Sequence, residues 1–274
     1  MEIYYALKVQ STDEILMALL SQFDFESYEE NEDHFIAYIR KDLLNDAQKS
    51  EVESIIKRFT DKYSFEELQP QNWNAIWEAS FQPVVVGHFC QIRADFHPPQ
   101  TGVRYDLVIN PKMAFGTGHH ATTHMMIQQM ESIAFEGKSV FDFGCGTGIL
   151  AILASKLGAN EIDAIDIEHE SYQNTIENSA INAVANVRAY EGDLDAIVVR
   201  KYDIILANIN RNILIKYAEA LVSRMNLGGI LLFSGVLDED KKSVIHAFEE
   251  AGLSDITNIG MDGWVCRKME LRNK

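Results

Sequence analysis

The chain has 274 residues, of which 47% are hydrophobic and 24% charged, a composition typical of a globular protein that buries a core. Its net charge of −17 argues against a nucleic-acid backbone as the main partner and favours encounter with a basic protein, although solubility alone would also explain it. The sequence has no run of 18 apolar residues, no signal-peptide pattern and no C-x-x-C pair, so we expect a cytoplasmic protein without a membrane partner, a disulfide framework or a zinc site.

Residues 1–69 predict a small α+β domain. Strand patterns cover residues 3–9, 25–28, 34–40 and 63–68, and helical patterns cover 11–20, with Ser11 or Thr12 as N-cap, and 45–60. This order of elements is that of a ferredoxin-like fold. The stretch holds 16 acidic and 7 basic residues, and six of the acids lie within residues 24–33. That acidic hairpin is either a docking face for a basic partner or a solvated turn.

A linker separates this domain from the rest of the chain. Prolines bracket a segment in which Trp73, Trp77 and Phe81 recur every fourth residue. The pattern predicts a linker helix over residues 70–82 whose aromatic side packs on one of its neighbours. The second domain then spans residues 83–274 and begins with short predicted strands over 84–86, 90–96 and 105–109.

Strands and helices alternate strictly from about residue 137, which predicts a parallel sheet with helices on both faces. The predicted helices cover residues 148–157, 169–182, 212–226 and 239–251. The predicted strands cover residues 138–143, 161–166, 186–190, 202–208, 229–235 and 254–259, and an antiparallel last strand covers 263–270.

A glycine turn follows the first of these strands. Gly144, Gly146 and Gly148 stand directly before an apolar helical run. Such a turn is expected to leave backbone N–H groups bare for a ligand, because glycine has no Cβ to hold the ligand away. The next strand ends in Asp166, whose carboxylate is well placed to accept hydrogen bonds from ribose hydroxyls. The pattern therefore predicts an adenosine-containing ligand at the carboxyl edge of the sheet.

Two classes of adenosine-binding protein compete for this pattern. A nicotinamide dehydrogenase needs G-x-G-x-x-G, and here the third glycine comes one residue early. With Asp142 in front, the glycines resemble the first motif of class I S-adenosylmethionine-dependent methyltransferases. That resemblance implies that Gly144 lies against the methionine and ribose part of the cofactor, that Asp166 binds the ribose and that Asp193 lies near the adenine. A purely structural turn is the remaining alternative.

The predicted strand at residues 202–208 ends in Asn208. Methyltransferases of amide and base nitrogens carry Asn/Asp-Pro-Pro and an aromatic residue at this place, whereas here Ile209, Asn210 and Arg211 follow. A planar nitrogen is therefore disfavoured as the methyl acceptor and a tetrahedral amine remains possible. The carbonyl oxygen of Asn208 is our candidate for orienting that amine, and an ordinary turn residue is the alternative.

Residues 110–124 are dense in glycine, hydroxyl and imidazole groups. His120 and His124 would share a helix face and indicate a metal, but no acidic or cysteine ligand is nearby, so we expect none. We expect instead that the loop closes over the cofactor and that Thr122 or Thr123 caps the helix that begins there.

Three motifs in combination, A-F-G-T-G-H-H-A-T-T, D-F-G-C-G-T-G-I-L-A-I and A-N-I, resemble the ribosomal protein L11 methyltransferase (PrmA) family. The resemblance implies an α/β fold, with a seven-stranded class I methyltransferase (Rossmann-like) sheet and a small N-terminal ferredoxin-like domain that recognises the substrate. One departure is Asn110-Pro-Lys, where the family usually has Asp-Pro-Gly. The cofactor-binding residues implied are Thr123, Gly144, Asp166 and Asn208, joined by Phe115, Gly116, Thr117, Gly118, Asp142, Gly146 and Asp193.

The same resemblance implies a protein N-methyltransferase that uses S-adenosyl-L-methionine to modify the α-amine and lysine side chains of L11, a basic protein of the large ribosomal subunit, free or on the ribosome. We expect it to act as a monomer and without direct nucleic-acid binding. The alternatives are a methyltransferase of another protein or of RNA, and a cofactor-binding module that does not catalyse.

Overall fold

The computed structural model describes residues 3–31, 33–68, 82–110 and 116–272. The chain divides into two compact units, Met1–Ser80 and Phe81–Lys274. Nearly all of the predicted linker helix at residues 70–82, as well as Phe115, lies outside the described residues.

The first unit is an antiparallel four-stranded sheet with two helices. Its strands follow the order β2-β3-β1-β4, as a ferredoxin-like fold requires. Asp13 caps the first helix by accepting hydrogen bonds from the N–H groups of Ile15 and Leu16, so the predicted cap at Ser11 or Thr12 is wrong. The elements are β1 (Tyr4–Val9), α1 (Glu14–Leu20), β2 (Ser27–Glu30), β3 (Phe35–Arg40), α2 (Asp46–Ile56) and β4 (Tyr63–Leu68).

The second unit begins with a small sheet, in which β5 (Val84–Val86), β6 (Cys90–Arg93) and β7 (Tyr105–Val108) lie side by side. The main α/β layer follows. Its elements are α3 (Ala121–Met130), β8 (Ser139–Phe143), α4 (Ile149–Lys156), β9 (Glu161–Asp166), α5 (His169–Ile181), β10 (Val187–Glu191), β11 (Tyr202–Asn208), α6 (Arg211–Ser223), β12 (Met225–Leu237), α7 (Lys241–Glu250), β13 (Leu253–Met261) and β14 (Trp264–Leu271).

The main sheet has seven strands in the order β10-β9-β8-β11-β12-β14-β13. Six strands run in the same direction and β14 runs opposite to them, as the sequence predicted. After β8 the chain forms β9 and β10 towards one edge of the sheet, and then β11 on the opposite side of β8. This reversal opens a crevice at the carboxyl ends of β8, β9 and β11, which is where ligands bind in open α/β sheets.

Two apolar clusters hold helices to the two faces of this sheet. Successive residues of β11 alternate between them, with Ile204 and Leu206 in one cluster and Ile205 and Ala207 in the other. Near-continuous burial of this kind is typical of a parallel strand covered on both faces. In the part of the chain that the structure describes, no helix combines the length and apolar character needed to cross a bilayer.

Candidate functional site

The glycine turn after β8 is held against the end of β9. All three glycines have positive φ angles, 77° at Gly144, 54° at Gly146 and 78° at Gly148, which explains the residue type. The N–H groups of Gly144 and Cys145 donate to the carbonyl oxygen of Ile165 at 2.9 and 3.0 Å. The N–H of Gly146 donates to the Asp166 carboxylate at 2.9 Å. The expectation of bare N–H groups is therefore wrong at these positions, because the neighbouring strand end satisfies them.

Asp166 is thus both a strand-end carboxylate and a support for the turn. One carboxylate oxygen accepts from Gly146 and the other accepts from the N–H of Glu168 at 3.1 Å. These bonds fix the carboxylate at the crevice, and each oxygen retains capacity to accept a further hydrogen bond.

A cavity of about 610 Å³ opens at these strand ends. Five of the predicted site residues line it, namely Gly144, Gly146, Asp166, Asp193 and Asn208. Its wall also includes residues that the sequence reasoning did not single out, among them Phe143, Ile167, Tyr217, Gly235 and Trp264, as well as His120, which it had considered only as a metal ligand.

Phe115 lies outside the described residues, and the other five predicted residues do not line the cavity. Thr123 is fully buried behind Asn208. The hydroxyl of Thr147, in the glycine turn, donates to the carbonyl oxygen of Gly116 at 2.7 Å, and Thr117 hydrogen-bonds to the ring of His119. Gly118 lies against Ile92, where a Cβ would come within 3.4 Å of the side chain.

Asp142 lies near the end of β8, just before the glycine turn. One of its carboxylate oxygens accepts from the N–H of Ala151 in α4 at 3.1 Å, and the other has no partner among the described residues. Burial raises the pKa of this carboxyl to about 7, with a smaller contribution from the charge of Asp166. The contacts of Asp142 thus position the glycine turn, and its predicted contact with a cofactor stays a prediction.

Asn208, at the end of β11, is hydrogen-bonded to Thr123 in α3. The amide nitrogen of Asn208 donates to the hydroxyl of Thr123 at 3.1 Å. In this orientation the carbonyl oxygen of Asn208 is buried and has no partner among the described residues. A buried amide oxygen without a partner is unfavourable unless a ligand supplies the missing hydrogen bond. A bound molecule that reaches this oxygen would supply the missing hydrogen bond.

The helix behind Asn208 begins differently from the prediction. His120 is the N-cap of α3, and its ring accepts from the N–H of Thr122, so the predicted cap at Thr122 or Thr123 is wrong. This leaves the Thr123 hydroxyl available for Asn208. The His120 ring also meets Trp264 edge to face, with centroids 5.0 Å apart, at the wall of the cavity. Trp264 was detectable in principle, because an antiparallel last strand starts at the carboxyl edge of the sheet.

Asp193 is held by α6. Its carboxylate accepts a hydrogen bond from the hydroxyl of Tyr217 and one from the N–H of Leu194. Burial alone would raise the pKa of Asp193, but these hydrogen bonds outweigh it and hold the pKa below its ordinary value. Asp193 is therefore a charged acceptor at the cavity wall. Tyr217 was not predicted as a site residue. It stands four residues after Ile213, which also lines the cavity, so the two share a helix face.

The polar and apolar groups of the cavity wall fit an adenosine-containing methyl donor. The carboxylates of Asp166 and Asp193 accept from hydroxyl and amine groups, and Ile167, 75% exposed, offers an apolar surface beside them. Gly144 packs closely on Ile209 in this wall, since a Cβ there would lie 3.0 Å from Ile209 Cδ1. No group of three His, Cys, Asp or Glu side chains within the described ranges is arranged to hold a metal ion.

Comparison with known proteins identifies the family. The family described as ribosomal protein L11 methyltransferase (PrmA) matches residues 6–272. A ribosomal protein L11 methyltransferase of Bacteroides fragilis is 37% identical over 266 residues, covering 96% of this chain and 95% of that protein. One from Porphyromonas gingivalis is 39% identical over 263 residues, covering 94% of this chain and 90% of that protein.

A solved structure supports the same assignment. The crystal structure of a ribosomal protein L11 methylase from Lactobacillus delbrueckii subsp. bulgaricus is 28% identical and has a TM-score of 0.63 to this chain. The match covers 70% of this chain and 100% of that one. The predicted S-adenosylmethionine-dependent methyltransferase is thereby confirmed, and the chain belongs to the ribosomal protein L11 methyltransferase family.

Proposed function

We propose that this enzyme methylates the α-amine and lysine side chains of ribosomal protein L11 in the cytoplasm, acting as a monomer. The observation that carries the proposal is the buried carbonyl oxygen of Asn208 at the cavity, which lacks a partner among the described residues. The names of the relatives support L11 as the acceptor. The net charge of −17 supports a basic protein rather than RNA as the partner.

The residues of the site have separate roles in this proposal. Asp166 and Asp193 hold the ribose and adenine parts of the methyl donor, and Gly144 lets the donor lie close to the backbone. S-adenosylmethionine, when bound, supplies a methyl group on a positively charged sulfur, and an uncharged nitrogen takes this methyl group by in-line displacement of the sulfur. The contribution of the protein is mainly alignment and exclusion of water.

Asn208 orients the acceptor. Its carbonyl oxygen accepts an N–H of the incoming amine, and Thr123 keeps the amide from turning. An α-amine has an ordinary pKa of about 7.7–8.0 and is partly uncharged at neutral pH, whereas a lysine at about 10.4 must first lose its proton. We therefore expect the α-amine to react faster than the lysines at neutral pH. The acidic N-terminal unit is the proposed recognition surface for L11, which the enzyme meets free or on the ribosome.

The test uses labelled S-adenosylmethionine with three acceptors in separate reactions: purified L11, ribosomal RNA and a release factor. Label in L11 supports the proposal, and label in RNA or release factor alone overturns it. A protein that binds S-adenosylhomocysteine and labels nothing is the non-catalytic module. L11 with an acetylated N-terminus serves as matched control, because it retains the lysines and lacks the α-amine. If acetylated and unmodified L11 take up equal label, the α-amine is not a target.

A further inference from the structure

Helix α5 carries a row of buried amides that the methyl-transfer site does not use directly. Asn174 and Asn178 lie on the helix and Asn182 is its C-cap, so the three stand four residues apart along one face. Their exposures are 1%, 0% and 8%. A buried amide is costly unless its hydrogen bonds are made, so the partners of these side chains define what the row does.

Asn182 completes an edge strand. Its carbonyl oxygen accepts from the N–H of Val108 at 3.0 Å, and its amide nitrogen donates to the carbonyl of Val108 at 2.6 Å. The side chain thus takes the place of a neighbouring strand along β7. This contact lies away from the glycine turn.

Asn178 joins two different segments. Its carbonyl oxygen accepts from the N–H of Asn110 at 3.0 Å, and its amide nitrogen donates to the carbonyl of Thr147 at 2.9 Å. Asn174 completes the arrangement, because its amide donates to the carbonyl of Asn110 at 2.8 Å and its oxygen accepts from Asn178. Both backbone groups of Asn110 are therefore fixed by α5, as are two carbonyls of the glycine turn, since the hydroxyl of Thr175 also donates to the carbonyl of Gly146 at 3.0 Å.

Thr147 extends this connection. Its hydroxyl donates to the carbonyl of Gly116 at 2.7 Å, and a Cβ on Gly116 would lie 2.8 Å from that hydroxyl oxygen. The glycine turn is thus bonded to Gly116 through Thr147 and to Asn110 through Asn178. Asn178 is the one member of the row that touches both the turn and Asn110.

We propose that Asn178 is a positioning residue for the methyl donor, because its amide bridge between Asn110 and Thr147 holds the glycine turn in the arrangement that binds S-adenosylmethionine. A preformed site binds more tightly because less ordering accompanies binding. The proposal concerns the cofactor site only, so it stands or fails independently of L11 as the acceptor.

The test compares Asn178→Asp with Asn182→Asp. Each variant keeps the acceptor oxygen and replaces a donor that faces a backbone carbonyl, at Thr147 in one case and at Val108 in the other. We expect Asn178→Asp to raise the dissociation constant of S-adenosylhomocysteine by about tenfold in calorimetry, because the buried hydrogen bonds to the carbonyl of Thr147 and to the side chain of Asn174 are lost. Asn182→Asp is expected to lower the melting temperature about as much as Asn178→Asp does. It should leave the dissociation constant within about twofold of the parent.

Asn178→Ala is the second variant, since it removes the bridge without placing a charge in the interior. Thermal unfolding with and without S-adenosylhomocysteine measures folding and binding in the same sample. A parent-like dissociation constant in a folded Asn178 variant overturns the proposal. Equal weakening by the Asn178 and Asn182 substitutions overturns it as well, because the effect would then be general destabilisation of α5.

Discussion

The hydroxyl of Thr123 accepts a hydrogen bond from the side-chain amide of Asn208 across 85 residues of sequence, at a distance of 3.1 Å. In this arrangement the carbonyl oxygen is the end of the amide that has no partner among the described residues. In the proposed mechanism the acceptor amine supplies that partner. Thr123 would then act on the acceptor through Asn208.

Thr123→Val removes this hydroxyl. We expect kcat to fall by about tenfold, with little change in the affinity for S-adenosylhomocysteine, because the amide loses the partner that orients it. Asn208→Ala should lower kcat further, and Thr123→Val should add nothing in that background. Steady-state kinetics of the four proteins measure the coupling. Additive effects of the two substitutions would contradict the proposed connection, and an unchanged kcat in Asn208→Ala would remove Asn208 from the mechanism.

Asp166→Asn tests the ribose contact. The amide retains an oxygen for the N–H of Gly146, but it loses the charge and places its NH2 group against the N–H of Glu168. Hydrogen bonds to a charged acceptor are about twice as strong as neutral ones. We expect the dissociation constant of S-adenosylhomocysteine to rise by about 10- to 100-fold, together with a lower melting temperature from the lost Glu168 bond. Asp195→Asn is the control, since that exposed residue carries the same charge outside the cavity wall. Equal dissociation constants for the two variants would exclude the predicted role of Asp166.

Gly235→Ala tests how tightly the segment after Asn208 is packed. A Cβ at Gly235 would lie 2.4 Å from the carbonyl oxygen of Ile209, and the φ angle is +86°. Gly263 has a φ of +80° and open space around its Cβ position, so Gly263→Ala isolates the backbone strain. We expect a loss of about 1–2 kcal/mol for Gly263→Ala and of about 2–5 kcal/mol for Gly235→Ala in urea unfolding.

The difference between these two alanine variants reports the clash with Ile209. Because Ile209 directly follows Asn208, kcat should fall in folded Gly235→Ala. Gly235→Ala as stable and as active as Gly263→Ala would show that the segment yields without consequence.

The Asp142 carboxyl makes stability depend on pH. Burial raises its pKa from 3.8 to about 7, so between these values the folded protein keeps a proton that the unfolded chain has lost. Its contribution to the free energy of unfolding therefore decreases as the pH rises through this range and is constant above it. Asp142→Asn keeps an oxygen for the N–H of Ala151 and cannot ionise. Relative to the parent, this variant should gain on the order of 2 kcal/mol of stability between pH 5 and pH 8.

Urea unfolding of both proteins at the two pH values measures this gain. Parallel pH dependence in the parent and the variant would show that Asp142 does not titrate in this range. A smaller free energy of unfolding for the variant at pH 8 than at pH 5, relative to the parent, would reverse the sign and contradict the assignment.

The sequence predicted the elements closely where local signals and burial agree. Strict strand–helix alternation after residue 137 predicted the parallel sheet, and the strand at 202–208 has the bounds found in the structure. Glycines at alternate positions and an acid at the next strand end indicated an adenosine-containing ligand, because backbone conformation and charge at those positions follow from residue type. Local signals failed at the helix N-termini, where Asp13 and His120 displaced the predicted hydroxyl caps.

Tertiary structure alone decided which polar groups are left for a ligand. The N–H groups of the glycine turn looked bare in the sequence, yet the end of β9 satisfies them, since parallel neighbours bring Ile165 and Asp166 alongside. The same holds for Asn208, whose amide bonds to Thr123, and for Asn178, whose backbone partners are 68 and 31 residues away. By itself the sequence determined the parallel sheet and an adenosine-containing ligand through local conformation, and its resemblance to a family identified that ligand as S-adenosylmethionine. The partner of each amide is set by contacts between distant segments.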